Sequence, residues 1–515
     1  MTRWIFIIVG IGLCFTPAFA DLQNVDVGGQ IRIRVRHWQN IYLDGRREIR
    51  IPDFYLQGRP IGPFGAASRY AYDDDSNRRT IVEQDTRLKI SADFTNQVNA
   101  VLELDDFEVW GNDFRSDYRT GVDASANSSD DVEVLQSYVE TNETFGLPLR
   151  LRIGRQQIKL GSGWLVGENQ STVNIAFDGV RATYAGDGYA IDGWATTLAE
   201  RGAAEVDGNV NFYGLSATCT ALEGHEFIAY WLYLRDARSL NDTNFAAPIE
   251  WLEDAFNLDD YDATNLHTVG LRAEGAFAAF DYAAELAYQF GEADSAGALF
   301  APANQLYGDD DADYDNWGAD IEVGYTFENM LWSPRAYVRG IYFSGEDNRD
   351  LSFLEWLNPF DRPDASVSFN RLFSSIRYYE VFDEGRTGSN FYQIRAGTDL
   401  QLTGSIELNA EVSKLGVNET FDYPLSIDAG QFRIPVAPAL AFLTEESGGD
   451  IGIVAALELR YQYSENLSFK LSWDHLFTDN DVDEGNFIFS NGLELLAGSD
   501  DDDADYFEFE SRLRF

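Results

Sequence analysis

Polar and apolar residues alternate with a period of two along much of this chain. The pattern is plainest at the C-terminus. Phe507, Phe509, Leu513 and Phe515 take one set of alternate positions, with Ser511 among them, and Glu508, Glu510, Arg512 and Arg514 take the other. Side chains two apart share a face of a β-strand, so this strand has one greasy and one charged face. Residues 30–36 repeat the pattern, with Ile31, Ile33 and Val35 on one face and Arg32, Arg34 and Arg36 on the other. The same periodicity predicts strands over 25–36, 86–94, 99–108, 131–140, 148–156, 177–185, 189–197, 209–218 and 225–235. It predicts further strands over 265–276, 279–290, 316–327, 333–343, 390–400, 404–415, 450–463, 467–476 and 505–515, eighteen in all. Most are about 10 residues long, the length a tilted strand needs to cross a bilayer.

The connections carry a second periodicity. Segments 95–98, 141–147, 186–188, 219–224, 276–279, 328–332, 401–403 and 464–466 are short. Segments 37–85, 109–130, 157–176, 198–208, 236–264, 291–315, 344–389, 416–449 and 477–504 are mostly long, and short alternates with long from the first strand to the last. A soluble sandwich has no reason to sort its loops in this way. An up-and-down barrel in an outer membrane does, with short periplasmic turns, long outer loops and an even strand count. The expected fold is therefore an all-β, antiparallel transmembrane β-barrel of 18 strands. Tyr288, Phe290, Tyr325, Phe327, Tyr461, Tyr463 and Trp473 lie near strand ends, where aromatic girdles meet the lipid interface; ordinary β-propensity accounts for them equally well.

Residues 1–20 have a separate role. Arg3 precedes an apolar run from Trp4 to Phe15, Pro17 breaks it, and Ala18-Phe19-Ala20 forms a small-residue cleavage site before Asp21. This predicts a cleaved secretory leader over 1–20 and a single barrel domain over 21–515. The run is too short to span a bilayer as a helix. Cys14 would leave with the leader, so Cys219 remains as a lone thiol and no disulfide framework is expected.

Charge narrows the partners. The chain has 38 Lys+Arg against 86 Asp+Glu, a net charge of −48. Nucleic acid is excluded as a general partner, because phosphate binding needs a basic surface. With 45% apolar and 24% charged residues, wholesale disorder is excluded too. The acidic excess sits in the long loops, in runs such as Asp73–Asp75, Asp309–Asp311 and Asp500–Asp503. Three readings of these runs stand side by side: solvation, divalent cations bridging the loops to lipopolysaccharide, and a dedicated Ca²⁺ loop. Asp309, Asp311, Asp313 and Asp320 match positions 1, 3, 5 and 12 of an EF-hand, but Tyr314 replaces the required Gly.

Only Lys89, Lys159, Lys414 and Lys470 are lysines; all other basic residues are arginines, whose planar fork matches carboxylate and phosphate. On the face opposite the apolar one lie Arg32, Arg34, Arg36, Arg87, Arg150, Arg152, Arg181, Arg272, Arg335, Arg339, Arg395, Arg460, Arg512 and Arg514, with Lys89 and Lys470. Inside a barrel they make an arginine-lined lumen. They either pair with lumen carboxylates such as Glu103, Asp281, Glu285, Asp320, Glu322, Glu407, Glu411 and Glu458, or leave a partly unpaired track that draws anions. Motifs for catalysis are absent, and no cofactor is implied. The four histidines are scattered, and His475 beside Asp474 is the one candidate for a rim hydrolase.

One stretch is more specific. Gly154-Arg155-Gln156 closes the strand 148–156; Gly161-Ser162-Gly163-Trp164-Leu165-Val166-Gly167 follows, and then Phe177-Asp178-Gly179-Val180-Arg181. This resembles the alginate export family of outer-membrane porins, whose pattern is GRQ, a Gly-rich turn and an FDG-hydrophobic-Arg strand start. Trp164 stands where that family often has an arginine. The resemblance, clearest over 86–200, implies an 18-stranded barrel that conducts an anionic uronic-acid polymer through an arginine-rich constriction, gated by a long loop and a periplasmic turn. It also implies that Arg155 and Arg181 are motif arginines. Asp178 then either orients a neighbouring guanidinium toward substrate or pins the following loop in the lumen. The expected function is passive passage of a hydrophilic, anionic solute or polysaccharide across the outer membrane. A cation-tolerant general porin and a structural or adhesive barrel are the alternatives.

Overall fold

The computed structural model describes residues 22–40, 42–43, 68–71, 78–95, 97–110, 132–170, 173–199, 209–237, 263–292, 313–345, 368–383, 388–420, 448–479, 481–482 and 503–515. It also describes short strands at 423–424, 426–429, 432–435, 444–445, 487–490 and 493–496. The proposed leader at 1–20 lies outside the described residues.

Eighteen strands form one closed antiparallel sheet. They are β1 (Asn24–Gln39), β2 (Arg78–Thr95), β3 (Val98–Val109), β4 (Glu133–Thr141), β5 (Leu149–Gln156), β6 (Phe177–Gly186), β7 (Tyr189–Ala199), β8 (Val210–Cys219) and β9 (His225–Asp236). The second half comprises β10 (Thr264–Phe277), β11 (Phe280–Glu292), β12 (Asp313–Thr326), β13 (Arg335–Phe343), β14 (Phe391–Thr403), β15 (Ile406–Val417), β16 (Asp450–Gln462), β17 (Leu467–Thr478) and β18 (Ala504–Arg514). Every strand expected from the alternation is present. The largest boundary error is at β2, which begins eight residues before the expected position 86. Its first turns keep pairing with β1, from Gln39↔Arg78 onward, and stand above the apolar band that marked the strand in the sequence.

Closure is made by β1, which pairs with β2 on one side and with β18 on the other, from Gln30↔Arg514 to Gln39↔Asp505. The seam runs to the last residue. Gly29 N–H donates to the Phe515 carbonyl at 2.9 Å, and Phe515 N–H donates to the Gly29 carbonyl at 3.1 Å. A Cβ at Gly29 would sit 2.3 Å from the Arg87 carbonyl oxygen and 2.8 Å from the Phe515 ring, so the close approach there needs glycine.

The outer face is apolar and open: Leu271, Val338 and Ile394 are 64%, 58% and 61% exposed. A water-soluble fold does not leave a continuous surface of this kind, whereas a lipid-facing barrel wall does. Stacked rings mark both ends of the band. At the long-loop end Tyr213, Tyr233, His267 and Phe290 stack in sequence at 5.6, 4.4 and 5.2 Å. At the short-turn end Phe280, Tyr325 and Phe327 meet edge to face, each pair at 4.7 Å.

The interior departs from a simple polar lumen. Two segments expected as outer loops fold inward and form a ledge across the barrel. One is 157–170, after β5; the other is 368–383, before β14. They join through a parallel bridge at Val166 and Phe373, with Gly167 N–H donating to the Phe373 carbonyl and Phe373 N–H to the Leu165 carbonyl, both at 2.9 Å. Ile158, Leu160, Trp164 and Leu165 from one segment and Phe369, Leu372 and Phe373 from the other are buried in one apolar cluster. The inward positions of the neighbouring wall are apolar to match, with Phe212, Leu232, Leu234 and Leu266 in the same cluster. Strand β9 is thus apolar on both faces, lipid on one and ledge on the other.

Deleting Phe515 removes both seam hydrogen bonds. The outer-membrane level of the barrel, and the fraction migrating faster unheated than boiled, should fall several-fold; Gly29→Val should do the same. Normal amounts of heat-modifiable barrel in both variants would show that the seam closes without them.

Candidate functional site

The lumen face is built by strand alternation, and its chemistry is ion pairing. Arg32 meets Asp85 at 2.7 Å, and Arg34 meets Glu83 at 2.7 Å. Arg87 stands between Asp85 and Asp105 at 3.2 and 3.5 Å. Arg152 meets Glu140 at 2.7 Å and Arg181 meets Asp192 at 2.6 Å. Arg339 holds Asp320 with two bonds of 2.7 and 2.6 Å. Arg395 meets Glu411 at 3.0 Å, and Arg460 pairs with Glu458. Arg335 is shared by Asp281, Glu322 at 2.6 Å and Asp399 at 3.1 Å. Each of these arginines, expected from the sequence as lumen residues, has a carboxylate partner. Several partners were not among the expected ones: Glu83, Asp85, Asp105, Glu140 and Asp192. Desolvated charges need such neighbours, because an unpaired guanidinium held away from water is costly.

Arg36 shows how the wall holds the ledge. Its guanidinium meets Glu83 of β2 at 2.9 Å and Glu380 of the ledge at 2.6 Å, and its Nε donates to the Tyr506 hydroxyl at 3.1 Å. All four side chains are buried. A second tie runs from Trp164 Nε1 to the Tyr378 hydroxyl at 3.0 Å, then from that hydroxyl to Asp320 at 3.1 Å. A third is reciprocal: Gln289 Nε2 donates to the Asn370 carbonyl, and Asn370 N–H to Gln289 Oε1, both at 2.7 Å. The ledge is braced internally by Arg371, which pairs with Asp383 at 2.7 Å. Burial pushes the Asp383 carboxyl up, and Arg371 opposes that rise. Glu380, Arg371, Arg377 and Tyr378 lay unread within the long loop 344–389. The available signal was compositional: 368–383 concentrates aromatic and aliphatic residues in a segment that would be polar if solvated.

Arg155 and Asp178 are a correction. Both alternate with inward residues, Arg155 with Gly154 and Gln156, Asp178 with Phe177 and Gly179. Phe177 is fully buried against Phe373 of the ledge, so its neighbour Asp178 points outward. Arg155 and Asp178 face each other across β5 and β6 and form a two-pronged pair at 2.8 and 2.9 Å, about half exposed. Gln156 Nε2 bonds the carbonyls of Gly154 and Gly179, each at 3.3 Å. Gly154 has φ +129, and a Cβ there would lie 2.3 Å from the Ser137 carbonyl oxygen. The GRQ and FDG segments therefore form a clasp between adjacent strands, at the point where the chain leaves β5 for the ledge. Of the motif residues singled out, Arg181 alone is on the lumen face.

Asp309 and Asp311 lie outside the described residues, and Asp313 is the first residue of β12. Asp320, the fourth EF-hand position, is engaged by Arg339. No metal-ligating group is found among the described residues. The runs Asp73–Asp75 and Asp500–Asp502 also lie outside the described residues. Asp474 and His475 point to opposite faces. Asp474 lines the lumen, and His475 bonds Asp505 at 2.9 Å beside Trp473.

Below the ledge, toward the short-turn end, opens a cavity of about 400 Å³. Seven carboxylates, five basic side chains and four tyrosines line it. A second space of about 340 Å³ shares Arg335, Asp399, Asn409, Glu458 and Arg460 with it and reaches Ser333 and Gln401 at the periplasmic rim.

A closed barrel with a lipid-facing apolar band, girdles at both ends and a charged, partly constricted lumen is an outer-membrane channel of the porin class, native to a Gram-negative envelope. The model of the family described as alginate export matches residues 63–484, and the chain belongs to that family. Among solved structures, Acinetobacter baumannii OccAB1 is similar with a TM-score of 0.50 at 10% identity, covering 95% of this chain and 96% of that one. Pseudomonas aeruginosa OccK8 (OprE) gives 0.49 at 10% identity, over 95% and 98%. At such identities the likeness concerns the fold alone. No curated protein matches the chain at a significant level.

Arg155→Ala should leave the reversal potential in a salt gradient unchanged, because the side chain faces away from the lumen. Glu380→Gln removes a buried charge partner of Arg36, a loss of about 3 kcal/mol or more. It should lower the temperature of the heat-dependent gel shift and raise single-channel conductance as the ledge loosens. An unaltered shift and conductance would mean that apolar contacts alone hold the ledge.

Proposed function

We propose that the protein passes small hydrophilic solutes passively, through a lumen whose charges are balanced in pairs rather than arranged as a free cationic track. The observation that carries this reading is the pairing itself: of the fourteen lumen arginines named from the sequence, all but the exposed Arg150 and Arg514 have a carboxylate at ion-pair distance among the described residues, and Arg335 has three. A guanidinium whose charge a carboxylate already balances attracts a uronate far less than a free one. The polyuronate suggested by the family's name fits this lumen poorly for a second reason. The ledge narrows the path with buried side chains tied to the wall on several sides, which suits small solutes better than a long polymer.

Ion selectivity tests the reading. At about 0.15 M salt the Debye length is roughly 8 Å, so charges farther than that from the narrow path are largely screened. Selectivity then follows the lining, where carboxylates outnumber basic groups by seven to five. Planar-bilayer recordings in a KCl gradient should give a reversal potential that is near zero or weakly cation-selective. Strong anion selectivity, reduced by Arg377→Ala or Arg460→Ala, would overturn the proposal and restore the anionic solute.

A further inference from the structure

We infer that the cavity below the ledge is a binding subsite for small solutes carrying an ammonium or guanidinium group. This rests on the channel reading above and names the class of solute that the channel holds in transit. The lining holds two more carboxylates than basic side chains, and Arg335 accounts for one of the two by holding a pair. Every basic side chain in the lining is committed. Arg377 pairs with Glu380, Arg395 with Glu411 and Arg460 with Glu458, and Lys470 lies 2.7 Å from Glu508. Arg335 meets two carboxylates of the lining, Glu322 and Asp399, besides Asp281.

Asp474 is the carboxylate left over. It lies in the cavity wall and is 9% exposed. Its Oδ2 accepts the backbone N–H of Glu380 at 3.2 Å, and no described arginine or lysine forms an ion pair with it. A carboxylate placed so deep ordinarily has a cation beside it. The cavity is large enough for a small molecule to bring that cation. The tyrosine faces do not provide a rival site, because arginines already cover them: Arg335 lies over Tyr337 at 5.1 Å, Arg395 over Tyr379 at 4.6 Å and Arg36 over Tyr506 at 5.8 Å. The same excess of acid continues toward the periplasm, where Asp399, Glu407 and Glu458 line the second space with Arg335 and Arg460, and Lys470 reaches Glu458 from the cavity at 3.6 Å. An ammonium leaving Asp474 toward the periplasm thus has a next acidic partner.

The test uses the full barrel in a planar bilayer, with 1,5-diaminopentane, glucuronate and glucose as probes of similar size and opposite or no charge. Diaminopentane should interrupt the wild-type current at millimolar concentration, and glucuronate and glucose should not. Asp474→Asn keeps an oxygen for the Glu380 N–H and removes the charge; its half-blocking concentration should rise about tenfold. If that variant is not heat-modifiable, Asp399→Asn carries the test, with an expected rise of about threefold. Equal block of wild type and variant, or stronger block by glucuronate, overturns the subsite. A barrel that carries no current in any condition overturns the channel reading instead.

Discussion

Hydrocarbon offers no partner to a backbone N–H or carbonyl, and the whole architecture depends on that constraint. A sheet in lipid cannot keep an edge, so β1 must find β18. The chain honours this to its last residue, where Phe515 and Gly29 exchange hydrogen bonds. Closure also dictates the alternation. Once the strands form a ring, alternate side chains of each strand meet lipid and those between them face the interior.

Closing the ring creates an interior that must be filled or kept wet, and this barrel does both. Near the long-loop end the ledge fills it with Trp164, Phe369 and Phe373 against inward Phe212 and Leu234. Below the ledge the lining is charged, and paired. The two halves meet at Arg36 and Glu380, where a wall arginine and a ledge carboxylate are buried together. A buried pair of this kind is weak evidence for stability, since isosteric apolar groups often do as well. Its value here is positional: only one placement of 368–383 satisfies Arg36, Asp320 and Gln289 together.

The sequence was legible wherever one physical rule acted alone. All eighteen strands followed from a period of two, because lipid on one side and mostly polar or charged groups on the other impose it on nearly every strand, β9 with its apolar inner face being an exception. Strand ends were less legible, as at β2, since pairing with β1 continues beyond the apolar band. The ledge was not legible as an inserted element. Its residues obey neither period, and apolar side chains in a loop do not say which way the loop folds. The lumen arginines entered on alternation alone. Arg155 and Asp178 entered on the strength of a motif, and the alternation of Phe177, Gly179 and Arg181 already put Asp178 on the other face.

GRQ and FDG bring together a glycine that lets one strand approach its neighbour, a glutamine that bonds two carbonyls, and an outward ion pair. These features fix the place where the chain leaves the wall to enter the lumen, and none of them touches the path of a solute. A channel family can keep such a clasp while its solute changes, because the charge balance below the ledge is set elsewhere. Here Arg335, Arg395 and Arg460 are each matched by carboxylates, and no described arginine or lysine forms an ion pair with Asp474. Removing two or three of those carboxylates would free guanidinium groups and turn the same lumen toward anions without altering a single strand. On the proposed reading, solute preference in this barrel depends on a small difference between two large, opposed sets of charges, and the shared fold and motif leave that difference open.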